Sequence, residues 1–542
     1  MKQQPATGMP ASAASGPDHG PQYLSHSQIV GVMIGIMSGM FLAALDQSIV
    51  GVALPRITSD LGGLEHLAWV VTAYLLTSTA STPLWGKISD LYGRKRIFQT
   101  AIVIFLVGSV LCGLAQNMPQ LIIFRAIQGI GGGGLMSIAL AIIGDVVPPR
   151  ERGRYQGYFG AVFGVSSVAG PLAGGWLTDA INWRWIFYIN VPIGIAALVI
   201  TSISLKMPVM RRDHRIDYLG AGLVVSAVSL LLLYVNWAGD HYGWGDPRAL
   251  ALLIASIVLT LAFIVAENRA VEPILPMRLF GNQIFSVGNA FGFLSGVAMF
   301  GGVIFLPLYF QGVMGMSPTR SGLAMVPMVA GILTMSIVSG LLVTKTGRYK
   351  IFPILGAFLI IVGLLLLSQL SVDTPYWQIA VYAFVFGLGL GFTLQTITVA
   401  VQNAVPFRDM GVATSSLTFT RSLGSAIGTA IFGAILNSRL ATHLVDAMGE
   451  AGVQPGQLSS EATGDIQAIQ NLQEPVRGLV LGAYTDALTD LFLYAVPFVI
   501  VALVVALFLK EIPLQSGAAP GPGEPTGNPR SAEETIPVMG GH

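Results

Sequence analysis

Apolar runs of about 20 residues recur along the whole chain, and polar residues collect in the short segments between them. A run of that length is enough for an α-helix to cross the hydrocarbon core of a bilayer. On this criterion the pattern predicts fourteen membrane spans. They are 29–54, 67–86, 97–115, 120–144, 155–178, 186–205, 217–236, 249–266, 284–309, 321–343, 351–370, 377–400, 412–436 and 485–509.

Basic residues are distributed unequally between the two sides of the membrane that these predicted spans define. If both termini are cytoplasmic, 20 of the 28 Lys and Arg residues fall in cytoplasmic segments, 6 fall outside, and Arg125 and Arg421 lie within spans. Basic residues are enriched in cytoplasmic loops of membrane proteins. The split therefore predicts an orientation with both termini inside, and it supports an even number of spans.

An internal repeat groups the spans. The segment GKISDLYGRKR (86–96) follows span 2, and GLLVTKTGRYK (340–350) follows span 10, so the second copy begins eight spans after the first. We therefore predict an all-α membrane protein with two parallel six-span bundles and two inserted spans, arranged 6+2+6. The predicted parts are a disordered cytoplasmic tail (1–25), the first bundle (26–206), a linker with two spans (207–278), the second bundle (279–510) with a long outer loop (437–484), and a second disordered cytoplasmic tail (511–542).

The two copies differ where chemistry is expected. Asp90 aligns with Thr344, Arg125 aligns with Ala383, and Pro171 has no proline counterpart in the second half. This difference predicts that the first half carries the residues that couple transport to an energy source.

Composition narrows the class of protein and of partner. The chain is 53% hydrophobic and 10% charged with a mean hydropathy of +0.70, which is typical of a polytopic membrane protein embedded in lipid. A net charge of +1 gives no basic surplus for a nucleic-acid partner. The single cysteine, Cys112, and histidines confined to tails and loops predict no metal site.

Several segments carry a family resemblance over nearly the whole chain. They are LDQSIVGVALP (45–55), in which Gly51 stands where asparagine is usual, GKISDLYGRKR (86–96), RAIQGIGGGG (125–134), GYFGAVFGVSSVAGPLAGG (157–175), WRWIFYINVPIG (183–194) and PLYFQGVMGMSPTRSG (307–322). The sequence resembles the fourteen-span drug:proton antiporter subfamily of the major facilitator superfamily. The resemblance implies a secondary transporter rather than an enzyme, in a bacterial cytoplasmic membrane, that exports small amphiphilic drugs or metabolites in exchange for protons. It leaves open a dedicated exporter of one endogenous lipid, siderophore or antibiotic.

Asp46 and Arg125 are the candidates for proton coupling. Asp46 lies eight residues from the outer end of span 1, roughly 12 Å deep at 1.5 Å per residue, and Arg125 is at a similar depth in span 4. Ionisable groups at such depth are costly and usually functional. If spans 1 and 4 line one cavity, as the resemblance implies, the acid can exchange a proton there. The alternative is a static ion pair that ties two helices together.

A second candidate group lies after span 2. Asp90 and Arg94 are four residues apart and can pair on a helix, and Asp145 ends span 4 on the same side. The resemblance implies that these residues, with Gly86 and Gly93, form a cytoplasmic latch between the bundles. The alternative is that the basic residues of this segment serve only to orient the protein in the membrane.

Span 5 contains small residues around a proline: Gly170, Pro171, Gly174 and Gly175. Proline removes a helical hydrogen bond, and small neighbours allow close packing. The resemblance associates this segment with export, and we predict an antiporter hinge; the alternative is an ordinary packing patch.

Polar and aromatic residues within spans are candidates for the substrate cavity. These are Trp69, Tyr74, Gln128, Asn289 and Gln395. The chain has no GxxxxGK[ST] segment for ATP, and GIGGGG (129–134) lies in an apolar span with no strand before it, so it is interpreted as a packing face. We expect no cofactor and a monomer that is driven by the proton gradient.

The energetics predict one proton per cycle. A charge moved across 100 mV yields about 2.3 kcal/mol, and one pH unit adds about 1.4 kcal/mol. Together these support a neutral-substrate gradient of several hundredfold, at about 1.4 kcal/mol per decade.

Overall fold

The computed structural model describes residues 26–61, 67–147, 151–205, 217–238, 243–270, 273–406, 409–451 and 476–514. These parts are helical apart from short connections. Eleven helical segments among them are long and apolar enough to cross a membrane. The chain is therefore a multi-pass, all-helical protein.

The helices of the first half are α1 (His26–Leu61), α2 (Leu67–Tyr92), α3 (Arg94–Leu114), α4 (Met118–Val146), α5 (Arg152–Ala180), α6 (Trp185–Tyr188) and α7 (Asn190–Ser204). Two further helices, α8 (Tyr218–Trp237) and α9 (Pro247–Arg269), precede a short 3-10 turn (Met277–Gly281). The second half contains α10 (Gln283–Val303), α11 (Phe305–Gly312), α12 (Pro318–Ala324), α13 (Val326–Thr346), α14 (Ile351–Leu367), α15 (Tyr376–Ala404), α16 (Met410–Ala451) and α17 (Val476–Leu507).

Prolines divide three of the predicted spans into two helices each. The breaks fall between α6 and α7, between α10 and α11, and between α12 and α13. Pro192, Pro307 and Pro327 lie just after these breaks, and each lacks the N–H that would bond to the carbonyl four residues earlier. The apolar pattern continues across the missing bond, so hydropathy alone does not reveal the break.

Two predicted boundaries were wrong. Much of the predicted outer loop 437–484 is helical, because α16 continues to Ala451 and α17 begins at Val476; residues 452–475 lie outside the described parts. The start of the predicted tail 511–542 is packed against the protein: Tyr349 N donates to Glu511 Oε1 (3.0 Å) and Ile512 N donates to the Tyr349 hydroxyl (2.9 Å). The tail segments 1–25 and 515–542 lie outside the described residues.

Glycines place the fourth long helix of each half between two neighbours. Gly129 of α4 lies directly against the backbone of Tyr74 in α2, and a Cβ on Gly131 would lie 2.5 Å from Phe105 N in α3. In the second half, Gly387 of α15 lies against Met328 of α13 in the same way. The run GIGGGG is thus a packing face, as its apolar setting predicted.

The repeated segments also share a backbone conformation. Gly93 follows α2 with φ 93°, and Gly347 follows α13 with φ 71°. Both values lie in the left-handed region, which favours glycine. The sequence repeat therefore corresponds to a repeated turn between paired helices.

The inserted helices α8 and α9 pack against each other, and α8 also contacts α2 and α16. Trp69 of α2 meets Trp237 of α8 edge to face, with ring centroids 6.1 Å apart. The pair thus lies beside one helix from each half.

We expect Gly131→Ala to weaken the α3–α4 contact. Its methyl group would lie 2.5 Å from Phe105 N and 2.7 Å from the Ala101 carbonyl oxygen, and backbone cannot move aside cheaply. Overpacking of this kind costs about 1–3 kcal/mol, which should lower the melting temperature measured by size-exclusion chromatography after heating. Gly222→Ala on α8 is the matched control, since nothing lies within 4 Å of its added methyl group. Equal melting temperatures for the two variants would contradict this packing.

Candidate functional site

The carboxylate of Asp46 lies in the interior of the first half and has no solvent exposure. Its Oδ2 accepts a hydrogen bond from Arg125 Nη1 (2.6 Å), and its Oδ1 accepts from Gln128 Nε2 (2.8 Å) and Asn190 Nδ2 (2.9 Å). These partners come from α4 and α7, so one acid on α1 connects three helices. Buried charge requires such pairing.

A second set of contacts fixes the guanidinium of Arg125. Its Nη1 also donates to Gln128 Oε1 (2.6 Å), and its Nε donates to the Val70 carbonyl oxygen (3.2 Å). The Tyr74 ring stacks on it, with the centroid 4.3 Å from Cζ. Stacking and directed hydrogen bonds are favoured by the planar guanidinium group.

Ser109 of α3 completes the network. Its hydroxyl oxygen accepts from Gln128 Nε2 (2.6 Å) and from Asn190 Nδ2 (2.9 Å). Each group that bonds to the Asp46 carboxylate is an N–H donor, so this arrangement suits the ionised acid.

The predicted depth match between Asp46 and Arg125 is confirmed by their direct contact. Asn190 and Ser109 were missed by the sequence analysis, although each is a polar residue within an apolar run. Only the fold shows that these two face the same carboxylate. We call Asp46, Arg125, Gln128, Asn190 and Ser109 the buried polar network.

Three of the predicted substrate contacts have other surroundings in this structure. Tyr74 (4% exposed) and Gln128 (0% exposed) lie within the first half, where they contact Arg125 and Asp46. Trp69 faces α8 through Trp237. The sequence showed their polarity and depth, but not which neighbour each side chain faces.

The two predicted contacts of the second half are both buried. Asn289 Oδ1 accepts from Ser416 (2.9 Å) and Thr420 (3.1 Å), so its amide ties α10 to α16. Gln395 on α15 is 6% exposed, and its amide makes no hydrogen bond with the described residues. Gln395 therefore remains the better candidate for contact with a ligand.

The predicted latch residues do form one cluster. Arg94 Nη2 is 2.5 Å from Asp90 Oδ1, and Arg94 Nε is 2.6 Å from Asp145 Oδ2. Arg94 Nη1 also donates to Ser89 Oγ (2.6 Å). One guanidinium thus holds the ends of α2 and α4, and we call this side of the molecule the latch end.

The two halves meet at the latch end. Gly86 of α2 lies directly against Ser415 of α16, and Gly411 lies directly against Asp90. Gln402 Nε2 of α15 donates to the Leu140 carbonyl oxygen of α4 (3.1 Å). In this conformation the latch cluster therefore forms part of a closed contact between the halves.

Arg152 at the latch end was not selected by the sequence analysis. Arg152 is 2% exposed, donates to the Gly144 carbonyl oxygen (2.6 Å), and lies 4.0 Å from Met410 Sδ across the interface. In the sequence, Arg152 counted only as one of the basic residues that indicate a cytoplasmic segment. The fold turns it inward.

The predicted hinge residues face two directions. Gly170 and Gly174 allow α1 to approach closely at Ser48 and Ile49, whereas a Cβ on Gly322 of α12 would lie 2.9 Å from Pro171 Cβ. Gly175 faces Thr319 of the same helix α12. The segment therefore lies between the buried polar network and the second half.

These features define a membrane transporter of two helical halves with a buried ion pair in one of them. A sequence profile of the Major Facilitator Superfamily matches residues 36–429. The chain belongs to this superfamily. Its relatives are named as transporters and not as enzymes.

Similar proteins occur in bacteria and in fungi. Multidrug transporter protein MdtP and multidrug resistance protein 3, both of Bacillus subtilis, are 37% and 36% identical, each over 90% of this chain and over 94% and 96% of their own lengths. An uncharacterized MFS-type transporter of Mycobacterium tuberculosis is 42% identical over 89% of this chain and 70% of its own length.

Solved structures share the fold at low identity. A double-tryptophan variant of XylE superposes with a TM-score of 0.57 at 14% identity, covering 90% of this chain and 97% of that one. A bacterial homologue of the human lysosomal transporter Spinster gives 0.54 at 17% identity, covering 91% and 100%.

One acid of the latch, Asp90, has a strongly shifted pKa. Burial raises the pKa of Asp90 from 3.8 to about 6, although Arg94 beside it acts in the opposite direction. The closed latch thus binds this proton more tightly than an open state in which Asp90 is hydrated. The closed latch gains stability as pH falls through about 6 and loses it as pH rises through that value.

We therefore expect acid to favour the closed latch. Ser415 is 1% exposed, and the cysteine of Ser415→Cys should react more slowly with maleimide at pH 5 than at pH 7.5. Its rate is divided by that of a cysteine at the exposed position in Asn268→Cys, which corrects for the pH dependence of the thiol reaction. Both reporters need the Cys112→Ser background. Asp90→Asn should remove this pH dependence, and Asp60→Asn, at a half-exposed acid of α1, should retain it. An unchanged pH dependence in Asp90→Asn would contradict the assignment.

Proposed function

We propose that the protein is a proton-coupled antiporter that exports amphiphilic drugs or metabolites by alternating access. The observation that carries this proposal is the Asp46–Arg125 pair, which is fully buried and held by Gln128 and Asn190. An ionisable acid at this depth is costly. A carrier that binds a proton on one side and releases it on the other needs such a group.

The proposed topology is fourteen spans in a 6+2+6 arrangement. Support comes from the eleven membrane-length segments together with α2, α10 and α14, and from the α8–α9 pair between the two halves of the repeat. The basic residues of 86–96 then place the latch end and both termini in the cytoplasm. The bacterial relatives favour the cytoplasmic membrane of a bacterium.

In the proposed cycle, the closed latch end corresponds to a carrier that faces outward. A proton from outside reaches Asp46, neutralises it and weakens its attraction to Arg125. The helices α1 and α4 can then shift relative to each other, because their strongest mutual contact is reduced. The Gly170–Gly175 segment transmits this shift, since it contacts α1 on one side and α12 on the other.

Opening of the latch end exposes the network to the cytoplasm, where the proton leaves and substrate enters. The restored pair of Asp46 and Arg125 favours return to the outward-facing state. One acid in the network implies one proton per cycle. The names of the Bacillus subtilis relatives support drugs as a substrate class.

We expect Asp46→Asn to lose uphill transport. In proteoliposomes with an imposed pH gradient, the variant should fail to concentrate the unrelated dyes that the wild type concentrates, because the amide cannot exchange a proton at Asp46. Arg125→Ala should also lose coupling, since it leaves the acid unpaired.

The matched control is Asp60→Asn, which changes an acid on the same helix at an exposed ion pair with Arg184 (3.0 Å). It should pump like the wild type, as exposed pairs contribute little. If Asp46→Asn builds the same dye gradient as Asp60→Asn, another group carries the proton.

A further inference from the structure

One arginine lies within a span of the second half without a carboxylate partner. Arg421 is eleven residues along α16 from Met410, which is roughly 16 Å along the axis at 1.5 Å per residue. That depth is near the middle of a hydrocarbon core of about 30 Å. Its side chain is partly buried, and a guanidinium group is always charged in proteins.

The contacts of Arg421 are weak for a buried cation. Its Nη2 donates to the Leu394 carbonyl oxygen (3.3 Å) and to Thr398 Oγ1 (3.5 Å), both on α15. These distances are long for hydrogen bonds. Within the described ranges, no salt bridge includes Arg421, whereas each of the following has a carboxylate partner: Arg94, Arg125, Arg184, Arg278 and Arg439.

Carboxylates on the helices around α16 lie far from Arg421 along its axis or bond elsewhere. This helix packs against α2, α4, α8, α10, α15 and α17. Asp90 and Asp145 bind Arg94 at the latch end, and Asp490 of α17 binds Arg439, which lies about 27 Å beyond Arg421 along α16. The charge of Arg421 is therefore not compensated by these helices.

Hydrogen-bond donors accompany this charge. Gln395 lies three residues before Thr398 and thus on the same face of α15. Its amide makes no hydrogen bond with the described residues, although it is only 6% exposed. Arg421 and Gln395 thus present a positive charge and a neutral amide, whereas the Thr398 hydroxyl already donates to the Leu394 carbonyl oxygen (3.2 Å).

The helices that carry this group of residues also contact the first half, α15 through α5 and α16 through α2 and α4. A transporter that opens alternately at its two ends exposes this interface to each side in turn. A substrate that passes between the halves would therefore move past α15 and α16.

We propose that Arg421, with Gln395, binds the anionic group of the exported substrate, so that the substrate class is an amphiphilic organic anion. A carboxylate or sulfonate fits the planar guanidinium through paired hydrogen bonds. The bound anion provides the negative charge that the helices around Arg421 do not place beside it. This inference rests on the export function proposed above.

An anionic substrate also changes the electrical driving force. One proton entering and one anion leaving move two positive charges inward, whereas exchange for a neutral molecule moves one. The attainable gradient then rises about hundredfold for each 59 mV instead of about tenfold. The membrane potential therefore assists export of an anion twice as strongly.

Binding of two dyes with the same aromatic skeleton tests the proposal. 1-Anilinonaphthalene-8-sulfonate carries a sulfonate that N-phenyl-1-naphthylamine lacks. Each is titrated by fluorescence into the full-length protein in lipid nanodiscs, with empty nanodiscs subtracted. The wild type should bind the sulfonate more tightly, and Arg421→Gln should weaken sulfonate binding about ten- to hundredfold while leaving binding of the neutral dye unchanged.

Arg421→Lys and Arg320→Gln are the controls. The lysine keeps the charge and should restore part of the sulfonate affinity, and the exposed Arg320 should have no effect. Unchanged sulfonate affinity in Arg421→Gln, equal loss of both dyes, or tighter wild-type binding of the neutral dye would overturn the proposal. Binding is measured without a gradient, so selective sulfonate binding without pH-driven transport would refute proton coupling and leave the anion site intact.

Discussion

The contact between Asp46 and Arg125 constrains the arrangement of the first half. A carboxylate with no solvent exposure requires a charged partner and donors for its remaining lone pairs, and these come from Arg125, Gln128 and Asn190. Removing one partner of a buried pair costs about 3–5 kcal/mol. The ionised acid therefore holds helices α1, α4 and α7 together, and in the proposed mechanism protonation releases them.

The two halves use the same packing but differ in charge. In both, glycines place the fourth long helix against its neighbours, and a left-handed glycine closes the turn after the second, at Gly93 and Gly347. The first half carries the buried acid, and the second carries Arg421 with no acid beside it among the described residues. The predicted difference between the halves concerned the coupling residues, and Arg421 adds a charge within a span of the second half. On the present account, one half binds the proton and the other binds the substrate.

Sequence reasoning was most successful where periodicity or depth decides the structure. Apolar runs predicted most helices, and equal depth predicted the Asp46–Arg125 contact. It failed where the orientation of a side chain decides. Tyr74 and Gln128 were expected at a substrate cavity, but Tyr74 stacks on Arg125 and Gln128 belongs to the buried polar network. Asn190 was not selected. The direction of a side chain depends on neighbours distant in sequence. The helical extension of α16 to Ala451 was missed because its residues are too polar to be predicted as a span.

The most direct test of the central claim measures proton release upon substrate binding. Purified protein in weak buffer with a pH-sensitive dye, at a pH low enough that Asp46 is protonated before substrate binds, should release close to one proton per bound molecule of a transported compound. Asp46→Asn should bind the same compound and release none. Release of an equal amount by Asp46→Asn would show that the buried acid does not exchange the coupled proton, and the account would fail.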